Sequence, residues 1–242
     1  MTAGGRRRIQ NEPAFVLHSY PFRETSSIIE VFSRQHGRLA IVARGARRPR
    51  SSLRGLLLNF QPLFLSWFGK GEVRTLHSAE WQGGQPYLQG TAIMCGFYLN
   101  ELLLNLIARD DPHEMLFDNY RDTLQCLAHQ ADQASTLRGF EKNLLQELGY
   151  ALELEHEAGG GKAVQKELSY RYVLDQGVLP DNEYAPPGFL LSGKTLLDMA
   201  KNEYDDPISA QQSKQLMRIL LNHHLGGKTL HTRELIKDFQ KL

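Results

Sequence analysis

Ser27-Ile28-Ile29-Glu30-Val31-Phe32-Ser33-Arg34-Gln35-His36-Gly37-Arg38-Leu39-Ala40-Ile41-Val42-Ala43-Arg44 is two runs of β-branched and aromatic residues around a three-residue turn. Short apolar runs bounded by a glycine-containing connection read as a β-hairpin, with strands at Ser27–Arg34 and Arg38–Arg44. Ala14–Tyr20 precedes it in the same style, and Pro62–Phe68 and Glu72–Ser78 follow, the last two joined by the turn signal Phe68-Gly69-Lys70-Gly71-Glu72. Five such strands packed into the first third of the chain suit a small barrel of the OB type.

From Thr91 onward the period changes. Ile93, Met94, Phe97, Leu102 and Leu106 repeat at helical spacing, as do Met115, Leu116, Tyr120, Leu124 and Leu127. Asp111-Pro112 with Glu114 predicts a helix start, with cap, first-turn proline and acid. A third helix is expected from Ser135 or Thr136 to Leu148, carrying Leu137, Phe140 and Leu144 and stopped by Gly149. Gly159-Gly160-Gly161 breaks the pattern, Glu167–Gly177 reads as a strand or hairpin, and Pro186-Pro187-Gly188 as a loop. Helices are then expected from Ser192, from Ser209 to Gly226-Gly227, and from Thr232. The expected fold class is α+β: an OB barrel over residues 1–80, then a mostly helical domain over 81–242 with an irregular insert near 151–190.

The chain has 242 residues, 41% hydrophobic and 23% charged, an ordinary globular mix that excludes wholesale disorder. Its net charge of +1 conceals a divide. Residues 1–80 hold 13 Lys+Arg against 5 Asp+Glu, 13 − 5 = +8, and residues 81–242 hold 15 against 22, 15 − 22 = −7. Two cysteines, Cys95 and Cys126, both in helical patterns, fit a reducing compartment and exclude a disulfide framework or a four-cysteine zinc cage. Arg6-Arg7-Arg8 has no apolar run behind it, so it does not read as a secretory signal, and no stretch approaches the ~20 apolar residues of a membrane span. A cytoplasmic protein is expected.

Gly188-Phe189-Leu190-Leu191-Ser192-Gly193-Lys194-Thr195 matches the phosphate-loop pattern letter for letter. The chemistry of that pattern needs a strand before the first glycine, and here Pro186-Pro187 stand there, while Phe-Leu-Leu suits a core better than a phosphate cradle. The expected structure is a short apolar segment with Ser192 capping a helix and the Lys194 ammonium in water. His223-His224, neighbours on a helix, are expected to point apart on a solvated face. Glu153, Glu155 and Glu157 have no acid–base partner at a defined spacing, and no nucleophile elbow is present. No catalytic residue, cofactor or metal is expected.

The strong signal is basic. No acid occurs between Glu30 and Glu72, whereas Arg34, Arg38, Arg44, Arg47, Arg48, Arg50, Arg54 and Lys70 all do, and Arg74 follows at once. Five of them lie in the connection Arg44–Arg54. Its Gly45, Pro49 and Ser51-Ser52 argue for a mobile segment in which guanidinium forks meet phosphates. These nine residues are the candidate nucleic-acid contacts. Phe15, Tyr20, Phe22, Phe32, Phe60, Phe64, Trp67 and Phe68 accompany them, some to fill the barrel and some available to stack bases. Strand alternation sets Trp67 opposite Phe64 and Phe68 without saying which side is inside. The patch does not separate DNA from RNA, so an RNA-binding adaptor is the alternative.

Phe15-Val16-Leu17-His18-Ser19, Arg44-Gly45-Ala46-Arg47, Gln61-Pro62-Leu63, Tyr98-Leu99-Asn100-Glu101-Leu102, Leu137-Arg138-Gly139-Phe140-Glu141 and Leu148-Gly149-Tyr150 together resemble RecO, the bacterial recombination-mediator family. The resemblance runs from about Ala14 to Phe239. It implies an OB fold, a helical bundle and an intervening zinc-finger-like module. It also implies binding of single- and double-stranded DNA, strand annealing, and partnership with single-stranded DNA-binding protein and RecR in loading RecA. Some family members hold zinc with four cysteines after the Leu-Gly-Tyr stretch. Residues 151–172 contain none, so a metal-free module is expected. The resemblance places Arg138 where the acidic tail of single-stranded DNA-binding protein docks.

Overall fold

The computed structural model describes residues 8–239, with side chains to residue 235. Arg6 and Arg7 of the basic N-terminus and the side chain of Lys237 lie outside the described residues. The chain divides into two compact units, Met1–Ala131 with Leu230–Leu242, and Asp132–Thr229.

In the first unit, β1 (Arg8–Phe22), β2 (Ser26–Ser33), β3 (Gly37–Ala43), β4 (Leu63–Phe68) and β5 (Val73–Trp81) close a barrel in the order β1-β2-β3-β5-β4. All five expected strands are present. β3 and β5 run parallel (Ala40↔Val73, Val42↔Thr75), and the connection between β3 and β4 carries the short helix α1 (Leu53–Leu56). This is the OB arrangement. Alternation fills the interior with Ala14, Val16, Ile29, Val31, Leu39, Ile41, Leu63, Leu65 and Trp67, all at most 2% exposed. Trp67 therefore belongs to the barrel core, and Phe64 and Phe68 are half-buried outside it.

The outer face of β1 and β2 is also covered. α2 (Thr91–Leu106) and α3 (Glu114–Ala128) lie in the same unit, and the rings of Phe15 and Phe32 meet Phe117 at 5.4 and 5.5 Å. Tyr120 meets the same two rings at 5.1 and 6.3 Å, and its hydroxyl donates to Asn100, whose amide in turn donates to the Leu17 carbonyl. Burial pushes the Tyr120 hydroxyl pKa far above its ordinary value, so it remains a donor. A strand face that an OB fold otherwise offers to ligands is here part of the core.

Gly37 closes the β2–β3 hairpin at φ +64°. A Cβ there would stand 1.9 Å from the Asp111 carbonyl oxygen, so only glycine fits. That contact also corrects one helix start. Asp111-Pro112 do not open α3, which begins at Glu114 with His113 in the cap position and no side-chain cap bond. Finally, α7 (His231–Phe239) docks on α2 through Glu101, whose carboxylate accepts from the His231 and Thr232 amides.

The second unit holds α4 (Gln133–Glu147), α5 (Gly193–Lys201), α6 (Pro207–His224) and a three-stranded sheet, β7-β6-β8, of β6 (Ser169–Val173), β7 (Gly177–Pro180) and β8 (Phe189–Ser192). Aspartates rather than serines cap two helices: Asp132 accepts from the Ser135 amide and Asp206 from the Ser209 amide. α4 and α6 therefore each start two residues before the serines that the sequence suggested. Phe140, Leu144, Leu145, Leu216, Met217 and Leu220 form the buried seam between them.

Candidate nucleic-acid interface

The acid-free stretch of sequence is not acid-free in space. Arg34 pairs with Glu114 at 2.5 Å and Asp118 at 2.9 Å, both on α3, and its guanidinium holds the Asp118 carboxyl below the usual carboxylate range. Arg38 donates to the Ile107 carbonyl at 3.0 Å and to buried Glu30 at 3.5 Å, and Glu30 also holds Arg109. Burial lowers the Arg38 pKa, with Glu30 opposing the shift. Arg74 pairs with Asp110 at 2.5 Å. The side chains of Arg38 and Arg74 are only 17% and 15% exposed. These three of the nine candidates fasten the barrel to α3 and to the α2–α3 connection, a use invisible from acids nearby in sequence.

The other six stand in water. Arg44, Arg47, Arg48, Arg50 and Arg54 are all exposed on the β3–β4 connection, and Lys70 is exposed in the β4–β5 turn. Among the described residues no acid pairs with any of the six within 4 Å. Lys70 stands apart, because its turn leads into Val73 beside the middle of β3, not beside the end from which the arginine loop leaves. The loop is not a free arm. Successive i→i+3 bonds (Arg48 N–H to Gly45, Ser51 to Arg48, Arg54 to Ser51) fold it into linked turns, and the Arg47 amide donates to the Thr25 carbonyl at 2.9 Å. The loop is thereby pinned to the β1–β2 turn.

That pinning brings in Arg23, which sequence reading missed. Arg23 is exposed in the β1–β2 turn, its guanidinium lies 5.2 Å from the Phe22 ring centre, and its carbonyl accepts from Arg47 Nη1 at 3.3 Å. The available signal was positional: this turn is one that OB folds use for binding. Of the eight aromatics considered, Phe15, Phe32, Phe60 and Trp67 are buried, and only Tyr20 is exposed, at 46%, with the His18 ring 4.3 Å away. One end of the barrel thus gathers Arg23, five loop arginines and Tyr20. Guanidinium groups without acidic partners among the described residues, on turns that fix their spacing, suit phosphates rather than base edges.

Two family models together cover nearly all of the described chain and meet just after the barrel, not at the boundary between the two compact units. Residues 8–84 match the family description "Recombination protein O N terminal" and residues 88–234 match "Recombination protein O C terminal". The chain belongs to the RecO family. It is 55% identical over 238 residues to the DNA repair protein RecO of Nitrosospira multiformis, covering 98% of each chain. It is 50% identical to those of Azoarcus sp. (98% of this chain, 99% of the relative) and Thiobacillus denitrificans (97% and 94%). The family is one of DNA repair and recombination proteins.

Arg138 stands on the second turn of α4 and is mostly buried. Its Nη2 donates to Glu141 at 2.7 Å, and 12% of its side chain faces solvent. Phe140 and Leu144 on the same helix are at most 1% exposed and belong to the core of their unit.

From Phe189 to Thr195 the phosphate-loop match has a structural explanation. Phe189–Ser192 is β8, and the Ser192 hydroxyl accepts from the Thr195 amide as the cap of α5. A Cβ on Gly193 would stand 1.9 Å from the Gln165 carbonyl oxygen. Lys194 is not free in water, since it pairs with Asp198 and, at 3.7 Å, with Asp206. Thr195 is fully buried and donates to Gln212 at 2.6 Å.

Among the described residues no group of three or more His, Cys, Asp or Glu is placed to hold a metal, and no helix is long and apolar enough to cross a membrane. The His223 and His224 rings do not diverge. They meet edge-on at 5.2 Å, with His224 stacked on Tyr150 at 3.9 Å and its pKa lowered by burial and then by His223. Glu153 does have a partner, His156 Nδ1 at 3.1 Å, in an exposed turn.

Proposed function

We propose that this chain is a non-catalytic DNA-binding mediator of recombinational repair, acting in the cytoplasm on the nucleoid. It grips DNA by the arginine-bearing end of its barrel, and its helical unit engages protein partners. The observation that carries the reading is the set of exposed arginines, without acidic partners among the described residues, on turns bonded to one another. Membership of a DNA repair family supports DNA as the polyanion. Annealing follows from charge: guanidinium groups on two bound strands replace condensed counterions and remove the repulsion that keeps complementary strands apart.

The partners are single-stranded DNA-binding protein, through its acidic C-terminal tail, and RecR, with RecA loaded in consequence. Arg138 is the proposed tail contact, on its position in the Leu-Arg-Gly-Phe-Glu motif. The barrel of residues 1–80 and the helical region of residues 81–242 divide these two tasks, although α2, α3 and α7 of the latter pack in the barrel's own unit. The test is annealing of complementary oligonucleotides coated with single-stranded DNA-binding protein, with matched RNA as competitor. Faster annealing, resistant to RNA, is expected. No acceleration, or displacement by RNA at equal concentration, refutes the proposal, the latter in favour of an RNA-binding adaptor.

A further inference from the structure

The barrel interior runs out of apolar residues at the arginine-bearing end. The rung Val16–Val31–Leu39 is wholly apolar, but the next one puts Ser19 beside Ile29 and Ile41, and the one after it puts Ser27 between Pro21 on β1 and Ala43 on β3, so each of the last two rungs carries a serine. The arginine loop and α1 do not close over that end. They leave a groove of about 380 Å³ lined by Ser19, Ser27, Arg47, Arg54, Leu53 and Leu57.

This lining is unlike the rest of the basic surface. Arg47 is held in place twice, by its amide on Thr25 and its Nη1 on the Arg23 carbonyl, so the order that a bound phosphate would impose on it is already present. Arginine forks and hydroxyls in a concavity suit a phosphate oxygen. Leu53 and Leu57, one helical turn apart, add an apolar wall that a bare phosphate does not use. Both features belong to one nucleotide, a charged ester joined to a flat, largely apolar base. The volume is near the lower end of small-molecule pockets, which run from about 300 to 1,000 Å³. It has room for a base.

We propose that the barrel mouth is a pocket for one unpaired nucleotide of the bound strand, its phosphate on Arg47 and Arg54 and its base against Leu53 and Leu57. This rests on the reading of the arginine loop as the DNA grip, and it adds what that grip lacks. Phosphate contacts do not distinguish single strands from duplex, whereas a base inside a duplex must unpair before it enters a pocket. The pocket therefore gives the protein a preference for single strands.

Ser19 is exposed at the groove, so Ser19→Phe fills the pocket without changing charge or displacing the core. Single-strand affinity in this variant is expected to fall about tenfold more than duplex affinity. Equal losses, or none, overturn the pocket. Independently of any variant, titration of the wild-type protein with thymidine 5′-monophosphate, followed by amide NMR, is expected to shift Ser19, Ser27, Arg47 and Leu57. If strands bind but these amides do not move, the pocket is wrong and the grip stands. If the nucleotide moves them but strands do not bind, the grip is wrong and the pocket stands.

Discussion

Glu30→Gln separates the arginines that hold the fold from those that hold DNA. Glu30 is 4% exposed on the outer face of β2, and its carboxylate is shared by Arg38 at 3.5 Å and by Arg109. Glutamine keeps the shape and removes the charge, leaving the Arg38 guanidinium, 17% exposed, with the Ile107 carbonyl as its acceptor. Stranding a mostly buried cation costs about 2 kcal/mol here, below the full value for a dry pair because the bond is long and one acceptor remains. The Arg109 arm, 42% exposed, adds at most about 1 kcal/mol. For a chain of this size about 2–3 kcal/mol corresponds to a melting temperature lower by roughly 5–10 °C. Calorimetry reads that shift, and fluorescence anisotropy with a labelled single strand reads affinity, which should stay within about twofold because Glu30 lies beneath the helices, away from the phosphate grip. A variant that melts within about 1 °C of wild type and binds DNA markedly less would refute the division of labour.

Lys194→Ala should leave DNA affinity unchanged and ATP binding undetectable by calorimetry, since Lys194 pairs with Asp198 and Asp206 on its own unit; ATP heat that vanishes in the variant would restore the phosphate-loop reading. Gly193→Ala should lower the melting temperature of the 132–229 unit, a loss of at least about 2 kcal/mol, because backbone stands where the methyl would go. Arg34 depresses the Asp118 pKa, so the pair contributes above pH ~4 and its contribution is lost as pH falls through the depressed value. Asp118→Asn should therefore destabilise at pH 7 and progressively less below pH ~4 in urea titrations. Arg138→Ala should weaken binding of an acidic tail peptide by calorimetry and cost about 2 kcal/mol of stability through Glu141, while naked-strand affinity changes little; a variant that loses strand and peptide binding equally would place Arg138 on the DNA surface.

The barrel was legible because its signals are local. Alternation in Ser27–Ala43 and Leu63–Phe68, and glycines at Gly37 and Gly69, specify strands and turns whatever else the chain does. Which side of an alternating strand faced inward was not legible, because β1 and β2 are buried on both faces. Phe15 and Val16 are equally apolar, and only α2 and α3 decide that one meets helices and the other the barrel. The basic patch was legible as composition and misleading as geometry. Acids that neutralise Arg34 and Arg74 come from residues 36 or more positions away, a separation that no local charge count registers. Helix starts moved for a similar reason. Asp132 and Asp206 outrank the serines three residues on, which serve as their donors instead.

The most direct test of the arginine grip is the salt dependence of single-strand binding by Arg47→Ala/Arg48→Ala/Arg50→Ala. Each phosphate contact contributes about −0.7 to the slope of log affinity against log salt, so loss of three should make the slope shallower by roughly two units, for all sequences alike. The melting temperature should stay put, because the three side chains are exposed and the loop is held by backbone bonds. Unchanged affinity and unchanged slope in a folded triple variant would contradict the account and move the DNA site off the barrel end.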